Sequence, residues 1–185
     1  MLGCARRDCT DNMSAESAYA FVTVGSTEFD KLIDAVLADE VLLELKRRGI
    51  QRLLLQIGRG SEDSVRECCA ANNTAIPITY YRFKSSLLED ISSADLVISH
   101  AGSGTILESL GAKRKLVVIV NEDLMDNHQI ELAQQLKAMG HIAFGTSRTL
   151  PSLLEDDQTW GHLLDYPDRD PSIFANYVNK QLGFE

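Results

Sequence analysis

No apolar run in this sequence approaches the roughly 20 residues needed to cross a bilayer. The first segment, MLGCARRDCTDNMSAESA, lacks the apolar stretch of a signal peptide, and Asp8, Asp11 and Glu16 argue against an acid-poor transit peptide. Cysteine is scarce: Cys4, Cys9, Cys68 and Cys69 form no C-x-x-C pair, which argues against a metal or disulfide framework and suits reduced, cytosolic thiols. Basic residues are outnumbered, 18 against 27 acidic, and the net charge of -9 opposes binding of a polyphosphate backbone. General nucleic-acid binding is therefore not expected, although a local positive pocket is allowed. A chain of 185 residues can bury a core of ordinary size without staples. One domain over residues 19–148 is expected, with a disordered leader over 1–18 and an appendage over 149–185.

The common phosphate signatures are also missing. There is no G-x-x-x-x-G-K-[ST], and neither glycine-rich loop completes G-x-G-x-x-G. The second apolar run ends Gln56-Ile57-Gly58, without the acid that would hold the ribose of a dinucleotide. These gaps argue against a P-loop NTPase and against an NAD-binding protein. No internal repeat or low-complexity tract interrupts the chain.

What is present is a regular alternation of strand-like and helix-like segments. Residues 20–24 (AFVTV) predict a buried strand, and residues 29–48 carry Leu32, Ile33, Val36 and Leu37 at helical spacing. Strand-like runs recur at 51–57, 76–83, 96–99, 116–120 and 142–144. Helix-like runs lie between them at 61–71, 85–93, 105–110 and 126–139, the first carrying its own Ser61 cap. The alternation predicts an α/β fold with a doubly wound, Rossmann-like parallel sheet. From about Thr149 prolines and aspartates crowd the chain. Ile173, Phe174, Tyr177 and Val178 then predict a closing helix over 172–182, with Pro171 suited to its first turn.

Two loops share one design: Gly25-Ser26-Thr27 leaves the first strand, and His100-Ala101-Gly102-Ser103-Gly104-Thr105 leaves the fourth. In a sheet of order 3-2-1-4-5 those strands are neighbours at the topological switch point, where open α/β sheets hold ligands. Glycines admit a ligand to the backbone, hydroxyls donate, and helix N-termini favour an anion such as a diphosphate. The plainer alternative is that each loop is a capped turn, since Thr27 with Asp30 and Thr105 with Glu108 both fit the capping-box spacing. Glu108 stands between two roles, capping carboxylate or acceptor for a ribose diol. Asp126-Asn127-His128-Gln129 opens the helix after strand five and offers amides and an imidazole suited to sugar hydroxyls, or else simply a helix cap. His100 and His128 are each either ligand-facing or ordinary histidines.

Residues 94–108 (ADLVISHAGSGTILE) and 124–129 (LMDNHQ), with Phe21-Val22-Thr23-Val24-Gly25-Ser26-Thr27 and Pro171-Ser172-Ile173-Phe174, resemble a known family. It is that of the catalytic subunits of two-part UDP-N-acetylglucosamine transferases that add the second sugar to a dolichol-linked oligosaccharide. More distantly the chain is similar to the donor-binding half of the bacterial enzyme that makes lipid II. The resemblance implies the donor half of a GT-B glycosyltransferase, with UDP-N-acetylglucosamine as donor substrate and no cofactor. It implies that Gly25, Ser26 and Thr27 meet the diphosphate, that His100, Gly102, Ser103, Gly104 and Thr105 form the second loop, that Glu108 holds the ribose, and that Asn127, His128 and Gln129 address the donor sugar and phosphate. It also implies a separate membrane-anchored subunit that binds the lipid-linked acceptor, recruits this cytoplasmic chain to the cytosolic face of the endoplasmic reticulum and is held through the C-terminal region.

The reaction so implied is inverting: an acceptor hydroxyl attacks the anomeric carbon as UDP leaves. Helix N-termini aimed at the leaving diphosphate would stabilise it without a metal, and no Asp-x-Asp motif precedes the sugar site. The base is not identified; His100 and His128 are candidates, as is a group from the partner. Two rival expectations stand beside this one: a non-catalytic nucleotide-sugar-binding or scaffolding subunit, and a UDP-sugar epimerase or hydrolase of the same architecture.

Overall fold

A computed structural model describes residues 17–71, 74–122 and 127–184, with the backbone alone at 127–129. Most of the expected leader lies outside the described residues. Its last two positions are already tied down: the Ala18 carbonyl accepts from Gln51 N–H at 2.8 Å, and Ser17 Oγ accepts from Arg52 at 3.2 Å.

The described strands are β1 (Tyr19–Thr23), β2 (Arg52–Gln56), β3 (Ile78–Tyr81), β4 (Leu96–His100), β5 (Lys115–Val120) and β6 (Ala143–Thr146). They pair in parallel in the order β3-β2-β1-β4-β5-β6, so the chain reverses its direction of travel across the sheet between β1 and β4. Both faces are covered, which is why the strands read as continuous apolar runs instead of alternating ones. Ala20, Val22, Ile98, Val117 and Ile119 pack on one face. Phe21, Val97, Leu116 and Val118 pack on the other.

Where one helix is expected over residues 29–48, the chain forms two, α1 (Asp30–Leu37) and α2 (Asp39–Arg47), separated by Ala38 in an extended conformation with ψ of 137°. A straight helix over that span would run about 30 Å, whereas a five-residue strand covers only about 17 Å. The break lets Leu32, Ile33 and Val36 bury on the sheet while Val41, Leu42 and Leu45 bury too. Asp39 and Glu40 then fall in the first turn of α2, where the helix dipole favours them.

The remaining crossovers are α3 (Asp63–Ala70), α4 (Leu88–Ser93), α5 (Ser103–Gly111) and α6 (Asn127–Ala138). Ser61 does not cap α3 directly; its hydroxyl accepts from Asp63 N–H at 3.0 Å, in a turn just ahead of the helix. After β6 come a 3-10 turn (Ser147–Thr149), α7 (Leu150–Glu155) and α8 (Asp157–Gly161). Leu150 and Leu154 of α7 are fully buried in the same cluster as α1 and α2, so the core runs past residue 148. The closing helix is α9 (Pro171–Leu182), capped by Asp170 at its start and by Gly183 at its end. None of its residues is buried, and Ile173, Phe174 and Tyr177 are 69%, 73% and 62% exposed.

Glu44 fastens α2 to the elements after β6. Its buried carboxylate accepts from Arg47 twice at 2.7 Å and from Arg48 at 2.9 Å. Arg48 also reaches Asp157 at 2.8 Å and lies 4.9 Å from the centre of the Trp160 ring. Arg47, ahead of Arg48, holds the Glu44 carboxyl below the usual range. A depressed folded-state value adds stability above the unfolded value of about 4.3, and that stability is lost as pH falls through the folded value. Glu44→Gln should therefore lower the unfolding free energy at pH 7 by about 1–2 kcal/mol, with the deficit shrinking towards pH 4. Urea unfolding at both pH values measures it; an equal deficit at both would show that charge plays no part.

Candidate nucleotide-binding site

The C-terminal ends of the strands share one edge. Parallel pairing of Val22 with Ile98 and Thr23 with Ser99 brings the β1 and β4 loops off the sheet at the same level and side by side. This is the juxtaposition the sequence predicts, at the predicted switch point.

The capping alternative fails for both loops. Helix α1 begins at Asp30 with Phe29 as its N-cap and no side-chain cap. Thr27 turns back instead, its hydroxyl donating to the Val24 carbonyl at 2.7 Å, and Asp30 accepts from Ser61 N–H at 3.1 Å. Helix α5 begins at Ser103, two residues earlier than expected, with Gly102 as an N-cap that has no side chain to offer. Thr105 is therefore inside the first turn, and Glu108 lies a full turn further on. The Glu108 side chain is exposed and makes no hydrogen bond or ion pair among the described residues. The first N–H groups of α5 are left for a ligand or water, since the ladder starts with Ile106 N–H to the Gly102 carbonyl.

His100 decides what two of the glycines are for. A Cβ at Gly25 would lie 2.6 Å from the ring's Cε1, and one at Gly102 would strike Nε2. The imidazole thus occupies the space that two missing side chains leave. Gly25 also has a φ of +62°, which other residues rarely adopt. A Cβ at Gly104, by contrast, would meet nothing within 4 Å. Gly25 and Gly102 make room for the ring on the side where a side chain would lie, while Gly104 faces open space. Burial holds the His100 pKa below the ordinary histidine value, and Nδ1 lies 3.4 Å from the Thr23 carbonyl, which can only accept. Burial thus favours the neutral ring, and the Thr23 carbonyl favours the tautomer protonated on Nδ1.

Gln56, Arg82 and Phe83 stand at the same edge without having been singled out from the sequence. Gln56 is 1% exposed; its amide donates to the carbonyls of Gly25 at 2.7 Å and Arg82 at 2.6 Å. The only signal in the sequence is a polar residue closing the apolar run RLLLQ. Arg82 pairs with Glu62 at 2.7 Å and donates to the carbonyls of Gly58 and Gly60. Phe83 follows β3 and is 55% exposed. Helix α6 starts at Asn127, after β5 as expected. The side chains of Asn127, His128 and Gln129, and all of Asp126, lie outside the described residues. A groove of about 280 Å³ lies between α1 and the 3-10 turn. Lys31, Arg148, Asp34 and Glu122 all line it, so the groove carries both signs of charge.

An all-parallel, doubly wound sheet with paired glycine loops at its switch point defines a Rossmann-like fold. Residues 19–157 match the family model described as the glycosyltransferase family 28 C-terminal domain, and the chain belongs to that family. Over 130 residues it is 50% identical to the human protein named UDP-N-acetylglucosamine transferase subunit ALG13; the match covers 70% of this chain but spans only 11% of that relative's length. An NMR solution structure of ALG13 superposes with a TM-score of 0.67 at 28% identity, covering 88% of this chain and 95% of that one. Crystalline MurG of Acinetobacter baumannii gives 0.59 at 20% identity, covering 92% of this chain and 44% of MurG, which shows a shared fold. The fold is that of the C-terminal half of a GT-B glycosyltransferase.

The His100 packing is directly testable. Gly102→Ala leaves a permitted backbone conformation, so its cost should come from the ring alone, about 1–3 kcal/mol. In the Gly102→Ala/His100→Ala double variant most of that cost should vanish relative to His100→Ala. A double-mutant cycle in urea measures the coupling, and simple additivity would show that the ring does not occupy the gap.

Proposed function

We propose that this chain is the donor-binding, catalytic part of an inverting glycosyltransferase that moves N-acetylglucosamine from UDP-N-acetylglucosamine to a lipid-linked GlcNAc-diphosphate acceptor. The observation that carries the reading is the open N-terminus of α5 beside the β1 loop: unpaired N–H groups, a glycine with free space before it, and no capping side chain. Oriented N–H groups and a helix dipole stabilise the negative charge that builds on a departing diphosphate. Membership of the family supports a glycosyltransferase, and the name of the human relative supports UDP-N-acetylglucosamine as the donor.

In this reading Ser26, Thr27, Ser103, Gly104 and Thr105 meet the diphosphate, and His100 sets the spacing of their loops. Glu108, one turn below the α5 N-terminus and with no side-chain partner among the described residues, accepts from the ribose hydroxyls. Asn127, His128 and Gln129 address the sugar. The acceptor comes from a separate membrane-anchored subunit on the cytosolic face of the endoplasmic reticulum. Among the described residues no helix of this chain is long and apolar enough to cross a membrane. The exposed apolar face of α9 is what the partner covers.

Three outcomes are expected. The chain alone should bind UDP yet transfer nothing, and the reconstituted pair should transfer GlcNAc to a lipid-linked acceptor. UDP binding without turnover in the pair would instead favour a scaffolding subunit, and sugar release without acceptor would favour a hydrolase. Gly104→Ala should raise stability by about 0.5–1 kcal/mol, because alanine is the better helix residue, while weakening UDP binding; melting and calorimetric titration separate the two effects. A rise in stability with unchanged affinity would place the diphosphate elsewhere. Deleting residues 172–185 should abolish co-purification with the partner and leave UDP affinity largely intact.

A further inference from the structure

Gln56 sits where three loops meet. Its Oε1 accepts from the Thr23 hydroxyl at 2.5 Å, and the same Thr23 oxygen accepts from Gly25 N–H at 3.0 Å. Its Nε2 donates both protons, one to the Gly25 carbonyl and one to the Arg82 carbonyl. Thr23 is fully buried and Gln56 nearly so, so water does not compete for these bonds. The β2–α3 loop closes the circuit. Arg59 N–H donates to the Thr27 carbonyl at 3.0 Å, and a Cβ at Gly58 would strike that carbonyl and come within 2.8 Å of the Gly25 carbonyl.

We propose that Gln56 is a positioning residue of the donor site, which through Thr23 locks the Gly25–Thr27 loop to the Arg82–Phe83 segment so that both ends of one nucleotide are held in register. The inference rests on the donor reading above. The β1 loop borders the α5 N-terminus where the diphosphate goes. Arg82 and Phe83 follow β3, two strands away along the same edge, where an exposed aromatic ring is suited to the face of a base. Nothing else described spans those two segments with a single buried side chain. Glutamine suits the task because only an amide offers two donors and one acceptor from one planar group. Glutamate at this position would face two carbonyl oxygens with a carboxylate, and a hydrocarbon would leave both unpaired.

The test uses the full chain and compares Gln56→Met, Thr23→Val and Thr23→Ser. Methionine keeps the unbranched shape without the bonds, valine keeps the volume of threonine without the hydroxyl, and serine keeps the hydroxyl. Amide hydrogen exchange in the ligand-free chain reads the lock without any nucleotide. Gln56→Met and Thr23→Val should speed exchange at residues 25–27 and 82–84 together, and Thr23→Ser should not. UDP titration should show Kd raised at least about ten-fold in the first two, at temperatures well below their melting points, with Thr23→Ser close to wild type. Should Gln56→Met fail to fold, Thr23→Val carries both readings. Unchanged exchange in either segment overturns the lock, and loosened loops with unchanged UDP affinity overturn its role in positioning. A wild-type chain that binds no UDP would sink the donor reading itself, and the exchange experiment would still decide the lock.

Discussion

The spacing between the two loops at the switch point depends on one neutral imidazole. His100 ends β4, and its ring lies against Gly25 of the β1 loop and Gly102 of its own. Neither glycine can gain a methyl group without displacing it. Protonation is disfavoured because the ring is buried. The edge is thereby held by packing and not by a charge, and a neutral wedge leaves the polar groups beside it free to act on a ligand. A cation at the same place would attract a diphosphate more strongly but would have to be desolvated when no ligand is bound.

Overall charge makes that economy meaningful. With a net charge of -9 the chain as a whole repels an anionic nucleotide. Long-range repulsion is screened over about 10 Å at moderate salt, whereas the N–H groups at the start of α5 act at hydrogen-bond distance. The groove beside α1 carries both signs of charge. On the proposed reading, binding would be short-range and geometric, and the hydrogen bonds of Gln56 and Thr23 would hold the loops for it.

The sheet was legible from the sequence because a parallel strand covered on both faces must be apolar throughout. The strand order is the usual one for a doubly wound sheet, extended by β6 at one edge. Helix starts were less legible. Thr105 and Glu108 satisfy the spacing of a capping box, yet Gly102 adopts the extended conformation of the N-cap and the helix begins at Ser103. Spacing alone cannot tell a cap from a residue within the first turn. The break at Ala38 was hidden because the apolar periodicity continues across it, and its cause is the finite length of the sheet beneath. Gln56 was hidden for another reason: its partners, Thr23, Gly25 and Arg82, are 33, 31 and 26 residues away. The two glycines were identified as special, but the group they accommodate, His100, is visible only once β1 and β4 are paired.

On the proposed reading, the openness of this edge has a chemical consequence. N–H groups at the α5 N-terminus face solvent in the isolated chain, where water screens their interaction with a phosphate. Covering the edge with a second half would expel that water and strengthen the same contacts, without moving them, just where charge develops on the leaving group. The gain would fall on the transition state more than on the bound donor, because the diphosphate acquires charge as the glycosidic bond breaks. On that reading a half site of this kind would bind its nucleotide with geometry set in advance by Gln56 and His100, and would become a catalyst when a partner changes the dielectric around it. Dependence on a partner would then follow from the electrostatics of the exposed edge.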